Sequence, residues 1–305
     1  MSIAPAPTYE LGKQKIEDAI YHSLSICSKH ALDVVDQWSP MHLDYKRKNP
    51  ESPSSAMKFG SAFHTYMLEK EEYEKRHPIM TGCSARKADG GGCQNDGKVL
   101  VGSTWLCGVH ARGKGGEEVA GAITQAQHEQ IQNMARAIGY HRAANSVMEA
   151  EGENESAIIW KRPIDGDGWH YDLDCKMKLD ILRPSWEMIA DIKTCECASQ
   201  VEFERSVAVY NYHRQAAFYQ DGCAAVGIPV KHFVFICVEK AAPYGVAVYR
   251  LLDDAIALGR EENERLLIKY AACERDNNWF GYENEFKDVS LPVWAFRQKV
   301  TALQN

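Results

Sequence analysis

From Trp169 to Leu182 apolar and polar side chains alternate: Tyr171, Leu173, Cys175, Met177, Leu179 and Ile181 against Asp172, Asp174, Lys176, Lys178 and Asp180. Period two of that quality predicts a β-strand with one buried face and one wet face. Ser156 to Ile164 reads as a strand before it, and Asp165-Gly-Asp-Gly is a strong turn signal between the two. Arg183-Pro-Ser turns the chain into a third strand, Trp186 to Thr194. A helix over Gln200 to Val226 follows, then a continuously apolar strand, His232 to Glu239. Val246 to Leu252 is suited to pair with that strand, and Asp253 or Asp254 to cap a helix reaching Trp279.

Upstream the pattern is helical. Ser54 or Ser55 is placed to cap a helix running to about residue 75, with Phe59, Phe63, Tyr66 and Met67 on one face. Thr124 and Gln127 form a capping-box signature for a long helix whose buried stripe is Ile131, Met134, Ile138 and Met148. Between them, residues 79–116 are rich in glycine, cysteine and basic side chains. The chain therefore divides into a helical part, 1–78, an insertion, 79–116, and a β-rich core, 117–305. Strands interleaved with helices predict an α/β layer with a mixed sheet flanked by helices.

Hydrophobic residues make up 45% and charged residues 25% of 305 positions, an ordinary globular balance. No apolar run approaches the roughly 20 residues of a membrane helix, and the first residues lack the pattern of a signal peptide. The expectation is a cytoplasmic protein with no membrane partner. The formal charge of −7 argues against a simple DNA-binding module, whose affinity comes from neutralising phosphates. It argues less against a nuclease, whose metal site needs carboxylates. Of the ten cysteines, Cys27, Cys175, Cys223, Cys237 and Cys273 sit in apolar surroundings and are expected in the core.

Candidate chemistry gathers in the second and third strands. Asp191 and Lys193 are two apart in a strand and point the same way, while Ile192 points into the core. If the two strands form a hairpin, Asp180 and Asp191 converge at one end of the sheet. Two carboxylates with the Ile192 carbonyl between them make an oxygen cage suited to magnesium, and Lys193 is then placed to meet a phosphate or orient a water. Asp-x-Lys alone is also what a solvated strand edge looks like.

Asp180 with Asp191-Ile-Lys193 resembles the PD-(D/E)XK nuclease signature. Gln215-Ala-Ala-Phe-Tyr219 resembles the Gln-x-x-x-Tyr motif of that superfamily's RecB-like branch, and Gly60-Ser-Ala-Phe-His64 its Gly-x-x-x-His motif. Tyr21-His-Ser-Leu-Ser, the run from Met57 to Thr65 and the run from Tyr210 to Tyr219 are similar to exonuclease VIII and its phage relatives. The resemblance implies a restriction-endonuclease-like core and a magnesium-dependent deoxyribonuclease, with manganese as an alternative ion. It implies Asp180, Asp191, Lys193, Gln215 and Tyr219 as catalytic residues, and His64, Glu155, Asp180, Asp191 and Ile192 around the metal. It further implies duplex DNA ends digested 5′ to 3′, with 3′ tails left for a single-strand annealing protein in phage recombination, and a homo-oligomeric ring. Other polarity, endonuclease action, or a non-catalytic DNA-binding factor on the same fold stay open.

In the insertion, Cys83, Cys93, Cys107 and His110 have the spacing C-x9-C-x13-C-x2-H. Four nitrogen and sulfur ligands suit a closed, structural zinc site, with a reduced, metal-free loop as the alternative. The pattern looks like a small treble-clef module, with Thr104-Trp105-Leu106 as the ribbon before the knuckle. Arg86 and Lys87 are its candidate DNA contacts, along with Lys98, Arg112 and Lys114.

Overall fold

The computed structural model describes residues 9–291 except 88, 89 and 96. Its strands in chain order are β1 (Gly12–Gln14), β2 (Ile79–Met80), β3 (Val99–Val101), β4 (Thr104–Leu106), β5 (Ile123–Thr124), β6 (Glu153–Gly166), β7 (Trp169–Arg183), β8 (Met188–Cys195), β9 (His232–Glu239) and β10 (Val246–Arg250). The helices are α1 (Asp18–Ser23), α2 (Lys29–Gln37), α3 (Pro40–Lys48), α4 (Ser55–Leu68), α5 (Lys70–Arg76), α6 (Gln125–Tyr140), α7 (Arg142–Glu149), α8 (Gln200–Val209), α9 (Tyr212–Ala225) and α10 (Asp253–Arg275).

Six strands form one sheet in the order β1-β6-β7-β8-β9-β10. Every pair is antiparallel except β8 with β9, which is parallel and is bridged by α8 and α9. A parallel pair needs such a long crossover, because a tight hairpin can join only antiparallel strands. Alternation along β9 feeds two cores. Phe233, Phe235 and Cys237 pack with α2, α9 and α10, whereas Val234, Ile236 and Val238 pack with α4, α6 and α7. The mixed α/β sheet flanked by helices is thus the observed architecture. Among the described residues no helix is long and apolar enough to cross a membrane.

Local signals are realised where the polar atoms can meet. Thr124 and Gln127 make both capping-box hydrogen bonds, Gln127 N to Thr124 Oγ1 at 3.1 Å and Thr124 N to Gln127 Oε1 at 2.9 Å. Ser54 caps α4 by accepting from Met57 N at 3.2 Å. The five cysteines expected in the core are all buried.

Several expectations are corrected. The part before residue 78 is not wholly helical, because Gly12–Gln14 adds an edge strand to β6. The helix from Ser55 stops at Leu68 and restarts at Lys70. The helix expected from Gln200 to Val226 is two helices, broken at Asn211 with φ of 54°, a conformation asparagine tolerates better than most side chains. The last helix ends at Arg275, and neither Asp253 nor Asp254 caps it, since Leu252 occupies the cap. The polar face of β7 is wet only at its start, where His170 and Asp172 are exposed, and is covered from Lys176 onward. Lys176 is buried and donates to the carbonyls of Tyr21 and Leu24, both at 2.6 Å. Lys178 pairs with Asp18 and Glu155. α1 and the turn after it cover that face, and the charges there are balanced by partners rather than by water.

The insertion leaves at β2 and returns at β5, which pair in parallel at its base. Inside it, β3 and β4 form a hairpin over a small core of Cys83, Leu106, Cys107 and Ala111.

Candidate functional site

The ladder between β7 and β8 runs Arg183↔Met188, Leu182↔Ile189, Ile181↔Ala190 and ends there. Asp180 and Asp191 are next in that register, so both carboxylates stand where the two strands part. On the other edge of β7, the pairing passes from Ser156↔Leu179 to Asn154↔Ile181, leaving Glu155 at the level of Asp180. Glu155 has φ of 52°, a left-handed conformation that costs a residue with a Cβ on the order of 1 kcal/mol or more. Across Asp180 the strand also changes face: Leu179 belongs to one core and Ile181 to the other.

His64, from α4, closes the group. Its Nδ1 lies 3.3 Å from Asp180 Oδ2, and one ligand atom each from His64, Glu155 and Asp180 fall within 4.8 Å of one another. Ile192 N–H donates to the same Asp180 Oδ2 at 2.9 Å. Asp191 lies beside this triad but is engaged elsewhere. Its Oδ1 accepts from Gln215 Nε2. Its Oδ2 is 2.7 Å from Lys193 Nζ, yet that oxygen is buried without a directed hydrogen bond. The contact is an ion pair by distance rather than by alignment. Gln215 Oε1 in turn accepts from Lys193 at 3.2 Å, and the ammonium sits 4.6 Å over the Tyr212 ring.

The charges are strongly coupled. Burial, and then the nearby Asp191, push the Asp180 carboxyl up to about 8, against the pull of Lys193 and the Ile192 N–H. Burial and Asp180 raise Glu155 although Lys178 is paired with it. Burial lowers His64, which favours the neutral imidazole a metal ligand needs. Burial would also lower Lys193, but Asp191, Tyr212 and Asp180 outweigh it and raise the ammonium. Tyr219, one turn beyond Gln215, has its phenol held high by burial, with Tyr21, Asp191 and Asp180 adding to the effect. A carboxyl raised by burial and a neighbouring carboxylate, beside an Asp191 oxygen that takes no directed hydrogen bond, fits a divalent cation of the magnesium type.

The expected residues His64, Glu155, Asp180, Asp191, Ile192, Lys193, Gln215 and Tyr219 are thus brought to one place. Sequence reasoning missed Lys178 and Tyr212. Lys178 had a signal, since period two puts it on the face of Asp180 two residues earlier. Tyr212 had none, because its place under Lys193 depends on the break at Asn211.

In the insertion, Cys83, Cys93, Cys107 and His110 also form a cluster with ligand atoms within 4.8 Å. Cys83 Sγ and Cys107 Sγ lie 3.4 and 3.3 Å from His110 Nδ1, and Cys93 Sγ lies 4.0 Å from Cys107 Sγ. A tetrahedral ion with bonds of about 2.3 Å to sulfur and about 2.0 Å to nitrogen gives S–S edges of roughly 3.8 Å and S–N edges of roughly 3.5 Å. The four side chains therefore fit zinc. The backbone N–H of His110, turned onto Cys107, leads the effects that bring this thiol down to about 6. Arg86 and Lys87 are exposed on the loop between Cys83 and Cys93.

Comparison with known proteins agrees with the fold. A crystal structure named "Putative exonuclease", from Eubacterium rectale, is 13% identical with a TM-score of 0.51, covering 93% of this chain and 98% of its own. At that identity the likeness is one of fold. A structure of SSO0001 is 14% identical with a TM-score of 0.28, over 48% of this chain and 69% of its own, which is too distant to carry an argument. No curated protein matches the chain. The profile of the family described as "PDDEXK-like domain of unknown function (DUF3799)" matches residues 19–285, and the chain belongs to that family.

Proposed function

We propose that the chain is a metal-dependent deoxyribonuclease, and more narrowly a 5′–3′ double-strand exonuclease of the exonuclease VIII kind that leaves 3′ single-stranded tails. The observation that supports the chemistry is the meeting of His64, Glu155 and Asp180 beside the Asp191–Lys193 ion pair. His64, Glu155, Asp180, Asp191 and the Ile192 carbonyl would hold magnesium or manganese. When bound, such an ion stabilises charge on a phosphoryl oxygen and favours deprotonation of water. Lys193 neutralises the scissile phosphate or orients the attacking water, and Gln215 keeps Lys193 and Asp191 in register. Tyr219, one turn on along the same helix face as Gln215, contacts the metal-site water or the DNA backbone.

The narrower reading rests on resemblance: the Tyr21, Met57 and Tyr210 runs are similar to exonuclease VIII in the order that family has them. On this reading the protein works in the cytoplasm of a bacterium or a phage-infected cell. It hands its tails to a single-strand annealing protein and assembles as a homo-oligomeric ring. Residues 79–116 form a module held by one structural zinc on Cys83, Cys93, Cys107 and His110, and Arg86 and Lys87 meet DNA phosphates.

Linear duplex labelled at its 5′ or its 3′ ends, and a closed circle, test the reading in one experiment. Magnesium-dependent release of the 5′ label first, with the circle intact, is expected. Release of the 3′ label first reverses the polarity, and nicking of the circle replaces exonuclease with endonuclease action. No hydrolysis with either magnesium or manganese removes the enzyme.

A further inference from the structure

A column of aromatic rings runs from the core to the surface beside Lys193. Phe235 on β9 lies 5.4 Å from Tyr212, centroid to centroid, and Tyr212 stacks with Tyr210 at 5.6 Å and 29°. Tyr210 ends the column and is 57% exposed. The two tyrosines flank Asn211, whose left-handed backbone lets α8 and α9 meet at an angle that stacks one ring on the other. The Tyr210 carbonyl is held by Lys29 Nζ at 2.8 Å. Both rings, with Lys193, Lys240, Glu196 and Glu202, line a cavity of about 290 Å³, in which Lys240 is paired with Glu196.

A large aromatic face at the mouth of a cavity, beside an ammonium assigned to a phosphate, is the pairing that binds single-stranded nucleic acid: cations for the backbone and a ring for the base. A base inside a duplex has both faces covered by its neighbours, so it reaches such a ring only after leaving the stack.

Resting on the nuclease reading above, we infer that Tyr210 stacks the base of the nucleotide next to the phosphate held at Lys193. Tyr210 is a specificity-determining residue that selects a base with an uncovered face, as at an unpaired nucleotide or a strand end. Tyr212 positions it by supporting its inner face, and also carries the Lys193 ammonium.

The test uses the full chain with single-stranded and duplex DNA carrying either a normal base, no base, or a fluorescent purine analogue at each nucleotide flanking the cleaved bond. For the wild type, removing the base on one side of that bond should raise KM about tenfold. Tyr210→Ala should raise KM by a similar factor and become indifferent to the missing base. Tyr210→Phe should behave as the wild type. With calcium replacing magnesium, binding should quench the purine analogue for the wild type and Tyr210→Phe and not for Tyr210→Ala, which a merely structural role would not produce. A Tyr210→Ala protein that still quenches the analogue and still discriminates against the missing base overturns the inference and leaves the nuclease standing. A wild type that neither binds nor cleaves DNA removes both.

Discussion

Glu155 and Asp180 face each other across β6 and β7 at the one level of that hairpin where the two strands do not pair. The left-handed backbone at Glu155 takes its peptide out of the ladder while its carboxylate joins Asp180 and His64. Burial and the Asp180 charge raise Glu155, while burial and Asp191 raise Asp180, so carboxylates gathered in this way are costly without a cation. Glu155→Gln removes one of them. The variant should be as stable as the wild type or gain on the order of 1 kcal/mol without magnesium, and should bind magnesium about tenfold more weakly. Thermal melts with and without magnesium measure both, and a variant with unchanged magnesium affinity would take Glu155 out of the site.

Asp180 makes the stability of the magnesium-free protein depend on pH. Its carboxyl titrates at about 8 when folded, against 3.8 as the ordinary value. Between those two values the folded chain holds a proton that the unfolded chain has released, so raising the pH favours unfolding. That stability is complete below about pH 4 and is lost as the pH rises through about 8. Magnesium-free protein should therefore melt at lower temperature at pH 8.5 than at pH 6, by on the order of 2 kcal/mol of stability. Asp180→Asn should flatten the trend, and magnesium should raise the melting temperature more at the higher pH. An equally steep slope in Asp180→Asn would assign the effect to another group.

Much of this site was legible because it is carried by regular strands. Asp191, Ile192 and Lys193 follow period two, and a hairpin from β7 to β8 sets Asp180 opposite Asp191 in register. The cysteine spacing in the insertion likewise needs only short loops to bring four ligands together. Less legible were features set by distant contacts. Nothing near Lys176 signals burial, because the carbonyls that receive it come from Tyr21 and Leu24, some 150 residues away. Alternation predicts Leu179 and Ile181 on one face, yet they pack into different cores, and the change falls at Asp180, the level where β6 and β7 do not pair. Asn211 reads as helix interior until the break between α8 and α9 is seen.

Lys193 is tied to Asp191, Gln215 and Tyr212 at once. Lys193→Ala should abolish DNA hydrolysis, by roughly a thousandfold or more if it stabilises charge in the transition state, and leave the fold intact. Asp191 is only 3% exposed, so Asp191→Asn is the cleaner variant: it keeps the shape and the Gln215 contact but removes the charge. It should be equally inactive. Either variant digesting duplex DNA at the normal rate with magnesium would overturn the assignment.

The Cys83, Cys93, Cys107 and His110 cluster should hold one zinc per chain, since four ligands close one site. Magnesium held by oxygen should exchange freely, whereas zinc held by thiolates should survive purification. Cys93→Ser should lower the zinc content and loosen the module, with the hairpin of β3 and β4 losing protection from hydrogen exchange. Zinc-free protein with unchanged thermal stability and unchanged exchange would sink the idea.

The proposed ring rests on the resemblance to exonuclease VIII, and the chain's charge gives it a purpose. At −7 the chain gains little from general attraction to DNA, so a monomer should leave its substrate quickly at physiological salt. A ring closed around the duplex removes that difficulty, because escape then requires a subunit to open. Such a ring needs one surface patch to meet a different patch on the next copy, with a rotation that closes. Basic side chains such as Arg86 and Lys87, exposed on the insertion, should then face the channel while the acidic excess faces outward. Light scattering should give a mass several times the 34.3 kDa of one chain. Digestion already under way should continue after a large excess of unlabelled trap DNA is added, and Arg86→Glu with Lys87→Glu should shorten each run more than it slows the first cut. A protein that scatters as a monomer and stops on trap addition would remove the ring while leaving the hydrolytic site as described.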